Sequence, residues 1–345
     1  MEKDRARKIY DAFAASGKFV SAIPMEDNDD KYHIIADEEA EYILHCIRPG
    51  VFSNIPEMIR NKEMVSGHIR NKLIKQNIRD ITRRYITYFH TYRRQPYYKD
   101  HEGNYWTLVL FIKGTRTHER ATSPQVAGAI GAGLGEFEQR TQDFDPRLLK
   151  ESVPRYQNVT RWKSRLQEAI ARADPARREA CSTCVEQLRP FDGPMSAWQE
   201  ALEEGQLPTR VTHNAFNAGS VLFDWNDHPL CVLNLDMVMP GALHYDFGDA
   251  VRSVCDPGEG GFDAELFRAF TDGFMQQAGR LLARKERETL PLAGELMPYL
   301  QATRRLVEFL EHGTTAALQQ ARAHVRFLHA IGGAREFTRK CIDAG

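Results

Sequence analysis

A chain of 345 residues with 46 basic and 47 acidic side chains carries a formal net charge of −1. It can bury a sizeable core in two or three domains, and its balanced charge offers no global field toward nucleic acid or an anionic membrane. No apolar run approaches the ~18 residues of a membrane-spanning helix. The opening, MEKDRARKIYDAF, is charged and amphipathic and lacks the apolar core of a signal peptide. The six cysteines (Cys46, Cys181, Cys184, Cys231, Cys255, Cys341) are scattered, which fits free thiols in a reducing cytoplasm.

In chain order, residues 5–16 read as a short helix with Ala6, Ile9, Tyr10 and Phe13 on one face. A strand over 17–24 leads into a turn holding Glu26, Asp27, Asn28, Asp29 and Asp30, whose four carboxylates repel polyphosphate rather than cradle it. Strands over 31–36 and 41–47 follow, with Glu38-Glu39 at their turn. A helix over 55–73 carries Ile59, Met64 and Ile69, and Glu63 lies on it. Residues 84–98 interleave aromatic and basic side chains. A twisted strand with a loop explains them better than base stacking, because no basic domain surrounds the patch.

The glycines of 124–139 superficially suggest a dinucleotide fingerprint. Pro124, however, suits the first turn of a helix, and Ala127, Ile130, Leu134 and Phe137 recur at helical spacing. The glycines then serve close helix packing. A helix over 164–189 places Cys181 and Cys184 mid-helix, where neither redox nor zinc chemistry has its context. The apolar runs Val221–Phe223 and Leu230–Leu235 flank the polar turn Asp224–His228 as a β-hairpin. His213-Asn214 precede it, and Tyr245–Asp249 follow as an acidic loop. Amphipathic helices are expected over 262–282, 291–310 and 315–330, the last with a solvated face of Arg322, His324, Arg326 and His329.

His213-Asn214, Val221–Asp224, Asp236, Val238–Gly241 and Tyr245–Asp249, with Asn104–Trp106 and Phe111–Thr115 upstream, resemble the aminoglycoside phosphotransferase and choline kinase superfamily. The nearest branch is N-acetylhexosamine kinase-like (homoserine-kinase-like). Its catalytic loop reads H-N-D-x-K-x-x-N-x-L-x-D, followed by I-D-x-D-x-x-M-P-G and Y-D-F-G-D. The resemblance covers essentially the whole chain. It implies an α+β, two-lobed protein-kinase-like fold, with an antiparallel-sheet N-lobe over 1–112 and a helical C-lobe over 113–345. The catalytic-loop hairpin lies within 208–252.

The departures fall on the chemistry. Ala215 stands at the catalytic Asp, Asn217 at the Lys, Ser220 at the metal-binding Asn, and Asn234 at the first metal-binding Asp. A methyl group accepts no proton, although a general base is worth roughly 10²–10⁴ in rate. Magnesium wants hard, anionic oxygens, and Asp236 alone is a poor site for it. His45 falls where many members carry a phosphate-pairing Lys, and Gln157 stands at a family His.

By resemblance, His213, Asp236 and the degenerate position Ala215 mark the catalytic centre. Lys113, Ser220 and Asn234 mark a vestigial cofactor site, and Arg161, Asn217 and Asp246 mark substrate contacts. No metal is expected, and binding of ATP and magnesium is expected to be weak or lost. The leading expectation is a pseudokinase whose interlobe cleft binds a small molecule, such as a sugar or biosynthetic intermediate, or a protein partner. The alternatives are an enzyme with relocated or non-kinase chemistry and a residual ATP-dependent sugar or amino-sugar kinase.

Overall fold

Alternating apolar residues in the first third of the chain build a sheet. The computed structural model describes residues 3–25, 28–37, 39–258 and 260–345. After helix α1 (Lys3–Tyr10) come β1 (Phe19–Met25), β2 (Asn28–Ala36), β3 (Glu41–Ile47), α2 (Ile55–Lys75), β4 (Tyr88–Phe89), β5 (Tyr98–Lys99) and β6 (Tyr105–Leu110). The strands form one antiparallel sheet in the order β1-β2-β3-β6-β4, with β5 also pairing β6. Period-two alternation in β3 turns Tyr42, Leu44 and Cys46 inward, where they meet Ile34, Trp106, Leu108 and the α1 face of Ala6, Ile9 and Tyr10.

Asn28, Asp29 and Asp30 of the expected acidic turn belong to β2. Glu26 and Asp27, like Glu38, lie outside the described residues. β2 already begins at Asn28, and Asp30 pairs with Arg48 at 2.6 Å.

Helix α2 is capped by Asn54, whose side chain accepts from Glu57 N at 3.2 Å. Its buried stripe of Met58, Ile59, Val65, Ile69 and Leu73 also contains Asn61, Lys62 and Ser66. Buried polar groups must find partners, and Asn61 finds three. Its amide donates to the carbonyls of Lys150 (2.7 Å) and Val238 (3.0 Å), and its Oδ1 accepts from Lys150 N at 3.0 Å. Accordingly, the compact unit that runs to Thr115 also includes Leu149–Pro154 and Leu233–Val238.

The second unit takes the rest of the chain. Its elements are α3 (Pro124–Thr141), α4 (Val159–Arg172), α5 (Pro175–Glu203), β7 (Arg210–Thr212), β8 (Val221–Phe223), β9 (Pro229–Val232), β10 (Met239–Gly241), α6 (Leu243–Cys255), α7 (Ala264–Ala278), α8 (Arg284–Thr289), α9 (Ala293–His312), α10 (Thr315–Gly333) and α11 (Arg335–Ala344). β8 and β9 make the expected hairpin, and β7 pairs with β10.

Two expectations are corrected. The single helix over 164–189 is two helices, broken where Asp174 caps α5 by accepting from Arg177 N at 2.9 Å, with Pro175 next. Tyr245–Asp249 is not a loop but the first half of α6. There Leu243, Phe247, Ala250, Val251 and Val254 recur at helical spacing and enter the core.

The glycines of α3 do serve packing. A Cβ on Gly131 would stand 2.0 Å from Phe270 O, and one on Gly273 of α7 would stand 2.0 Å from Gly128 O. Among the described residues no helix is long and apolar enough to cross a membrane. All six cysteines are free and buried.

Candidate functional site

In the first unit, chemistry converges on Asp236. This residue sits in the short turn Leu235–Met237, entered through Asn234 in left-handed conformation (φ 59°). Lys62 Nζ, on the buried face of α2, donates to Asp236 Oδ1 at 2.7 Å. His45 Nδ1 lies 3.8 Å from Oδ2, and Lys31 Nζ donates to Asn234 Oδ1 at 2.5 Å. Lys31 and His45 are cross-strand partners in the β2–β3 ladder, so one register places both on the same face.

The electrostatics follow. Burial alone would raise the Asp236 carboxyl, but Lys62, His45 and Lys31 more than offset it and hold the group well below the usual range. Burial, aided by both lysines against Asp236, pushes His45 down to about 4, so its imidazole is neutral at pH 7. Burial also lowers Lys31, and Lys62 adds to that. The cluster therefore holds two lysines against one carboxylate.

Magnesium, which the resemblance implies, does not fit these residues. One Asp236 oxygen already accepts an ammonium proton, and the Asn234 carbonyl accepts another. A second cation there would meet two positive neighbours in low dielectric. Among the described residues no group of three or more His, Cys, Asp or Glu side chains could hold a metal ion.

In the second unit, the loop after β7 is held by buried polar contacts. Asn214 takes φ 61°, and its Nδ2 donates to Thr212 O and Oγ1. Asp246, expected among the substrate contacts, has both carboxylate oxygens engaged by the backbone, from His213 N (2.6 Å) and Asn214 N (2.7 Å). Burial pushes it up to about 7, although those two N–H bonds pull the other way. His213 is fully buried, edge-on to the rings of Phe137 and Phe216, a bracing position rather than one from which to act on a ligand.

Ala215 is partly exposed and brings only its methyl group. Asn217 and Ser220 cap the same short turn reciprocally. Asn217 N donates to Ser220 Oγ at 3.0 Å, so the Ser220 side chain serves as a local brace.

Arg161, in the first turn of α4, lies over the Trp162 ring at 5.5 Å. Gln157 is buried and donates to Asn214 O at 3.1 Å, while its Oε1 accepts from Arg304 Nη2. Lys113, of the first unit, is engaged by Glu39 O (2.7 Å) and the Glu41 carboxylate (2.8 Å).

Sequence reasoning singled out Glu63 on α2, but Glu63 pairs with His90 at 2.8 Å and the neighbouring Lys62 faces the site. The available signal was a lysine in phase with Met58, Val65 and Ile69 on an apolar face. Arg304 was also missed, and nothing local in sequence marks it.

The model of the phosphotransferase enzyme family matches residues 21–282. The chain belongs to this family. Solved structures share the fold at low identity. An aminoglycoside phosphotransferase from Alicyclobacillus acidocaldarius is 13% identical, with a TM-score of 0.67 over 95% of this chain and 96% of that one. A microcompartment-associated aminopropanol kinase is 16% identical, with a TM-score of 0.61 over 95% and 98%. A spectinomycin phosphotransferase in complex with ADP and spectinomycin is 13% identical, with a TM-score of 0.59 over 98% and 99%.

Proposed function

We propose that this member of the phosphotransferase family is a pseudokinase that binds a small molecule without magnesium. The carrying observation is the 2.7 Å bond from Lys62 Nζ to Asp236 Oδ1. An ammonium group supplies there the positive charge that a metal would otherwise supply. It is fixed on a helix and cannot bridge two phosphates as a divalent ion does. With Ala215 unable to accept a proton, transfer lacks both its base and its metal. The remaining polar groups favour a neutral or anionic ligand, a carboxylate, a sugar or a biosynthetic intermediate. Buried, unbridged cysteines suit a reducing cytoplasm.

The test pairs binding with turnover. Thermal shift with ATP and metabolite panels, with magnesium or with chelator, should show ligand stabilisation that persists in chelator. A phosphoryl-transfer assay on amino sugars and aminoglycosides should show no magnesium-dependent product. Turnover in the ~1–100 s⁻¹ range of kinases would overturn the reading and favour a residual kinase.

A further inference from the structure

We infer that the second unit holds a subsite for the anionic end of a small ligand, a carboxylate or a phosphate, with Arg304 as the residue that recognises its charge. The inference rests on the reading that the chain binds a small molecule, and it names the chemistry that molecule must carry.

Arg304 lies on α9 with a guanidinium whose Nη2 bonds only neutral acceptors, the Tyr156 carbonyl at 2.9 Å and the Gln157 side-chain oxygen. Its Nε and Nη1 are buried and have no hydrogen-bond partner. A guanidinium has five N–H donors and no other use for them. A buried cation left without an acceptor is costly, whereas a charge-assisted bond to an anion is among the stronger polar contacts.

The surrounding charges are already matched without Arg304. Asp249, whose charge favours the Arg304 cation, bonds Arg252 Nε at 3.2 Å, and Glu308 bonds Arg305 Nη1 at 2.6 Å. Among the described residues Arg304 has no ion-pair partner, and its Nη2 bonds only neutral oxygens. Burial lowers its affinity for the proton, so an incoming anion would restore what desolvation removes.

The guanidinium is also held in place before any ligand arrives. Its carbon lies 4.2 Å from the Tyr156 ring centroid and 5.3 Å from that of Trp162. Gln157 ties it to the catalytic-type loop through Asn214 O. A fixed donor needs little ordering on binding, which favours affinity for a small ion.

The experiment uses the full chain in chelator and reads thermal shift and isothermal titration. The probes are benzoate, citrate, inorganic phosphate and phenyl phosphate, with benzamide as the neutral control. At least one anion should bind and benzamide should not. The carboxylate and phosphate arms show which headgroup fits. Arg304→Gln should weaken the best anion about tenfold or more, and Arg304→Lys, which keeps the charge but loses the planar fork, should fall between. If Arg304→Gln fails to fold, Arg304→Lys carries the comparison.

A Lys340→Gln control, which removes one exposed cation outside the candidate site, should keep the anion affinity, which separates Arg304 from a nonspecific charge effect. No binding by any anion at millimolar concentration, or equal binding by wild type and both Arg304 variants, overturns the subsite and leaves the pseudokinase reading standing. Anion binding together with magnesium-dependent turnover would do the reverse.

Discussion

Lys62 shows at the scale of one residue how a cation on an apolar helix face is accommodated. Its side chain is 3% exposed and that of Asp236 is 22% exposed, so each depends on the other. Lys62→Met would leave the Asp236 carboxylate with His45 neutral and Lys31 as its remaining nearby cation. Breaking a fully buried pair typically costs about 3–5 kcal/mol, and the partial exposure of Asp236 with Lys31 nearby places the expected loss below that range. The double variant Lys62→Met/Asp236→Asn should recover most of that loss, because neither charge then stays behind. Urea denaturation of the four species gives the coupling directly, and additive losses would show the pair to be inert.

A second residue-scale prediction concerns pH. Burial, helped by Arg210, pushes His244 down to about 3. The folded state keeps this imidazole neutral while the unfolded chain protonates it near pH 6.5. Its contribution is therefore complete above about 6.5 and is lost as pH falls toward 3. Asp246, raised to about 7, acts in the opposite sense, with stability present at low pH and lost as pH rises through 7. The comparison must therefore be between variants. From pH 7 to pH 5, His244→Gln should lose less stability than wild type by roughly 2 kcal/mol. Parallel pH curves would mean that His244 titrates normally.

At the scale of elements, α3 and α7 show what sequence could and could not convey. The glycine run of α3 was legible as a packing surface because Ala127, Ile130, Leu134 and Phe137 set a helical phase that no nucleotide loop needs. Which glycines matter was not legible, since that depends on how close the facing helix comes. Gly131→Ala would drive its Cβ to 2.0 Å from a backbone oxygen, whereas the nearest atom to Gly128 would be 3.3 Å away. Alanine gains about 1 kcal/mol in helix propensity at either site, and overpacking costs about 1–3 kcal/mol or more. Gly128→Ala should therefore be close to neutral and Gly131→Ala clearly destabilising, as read from denaturation midpoints.

The misread elements have comparable causes. Tyr245–Asp249 looked like a loop because its two aspartates and a glycine mask the helical phase, which becomes visible only when Leu243 through Val254 are taken together. The β-strands and the hairpin at 221–232 were legible from period-two alternation and a polar turn. The site was legible only as a set of absences at Ala215, Ser220 and Asn234. The cations beside Asn234 and Asp236 come from β2 and α2, and only register and helix phase bring Lys31 and Lys62 there.

On the proposed pseudokinase reading, the question for the molecule as a whole is whether metal binding would be lost by deletion or by substitution. If only deletion mattered, Asn234→Asp would suffice to restore a carboxylate pair with Asp236 and begin a magnesium site. The structure argues for substitution, because Lys31 and Lys62 would neutralise the restored pair and repel a divalent ion. Asn234→Asp alone should therefore bind no magnesium, as measured by titration with Mg²⁺ or by Mn²⁺ relaxation. It should instead raise stability modestly by giving Lys31 an anionic partner. Adding Lys31→Ala and Lys62→Met should release both carboxylates for the ion. The triple variant should then gain a metal-dependent thermal shift at millimolar magnesium while losing stability in chelator, where two adjacent carboxylates repel. Metal binding by the single variant would show that the lysines yield easily and that the centre is one substitution from use. No binding by the triple variant would show that the fold around Asp236 has closed to a hydrated ion, so that the loss reaches beyond the charged groups.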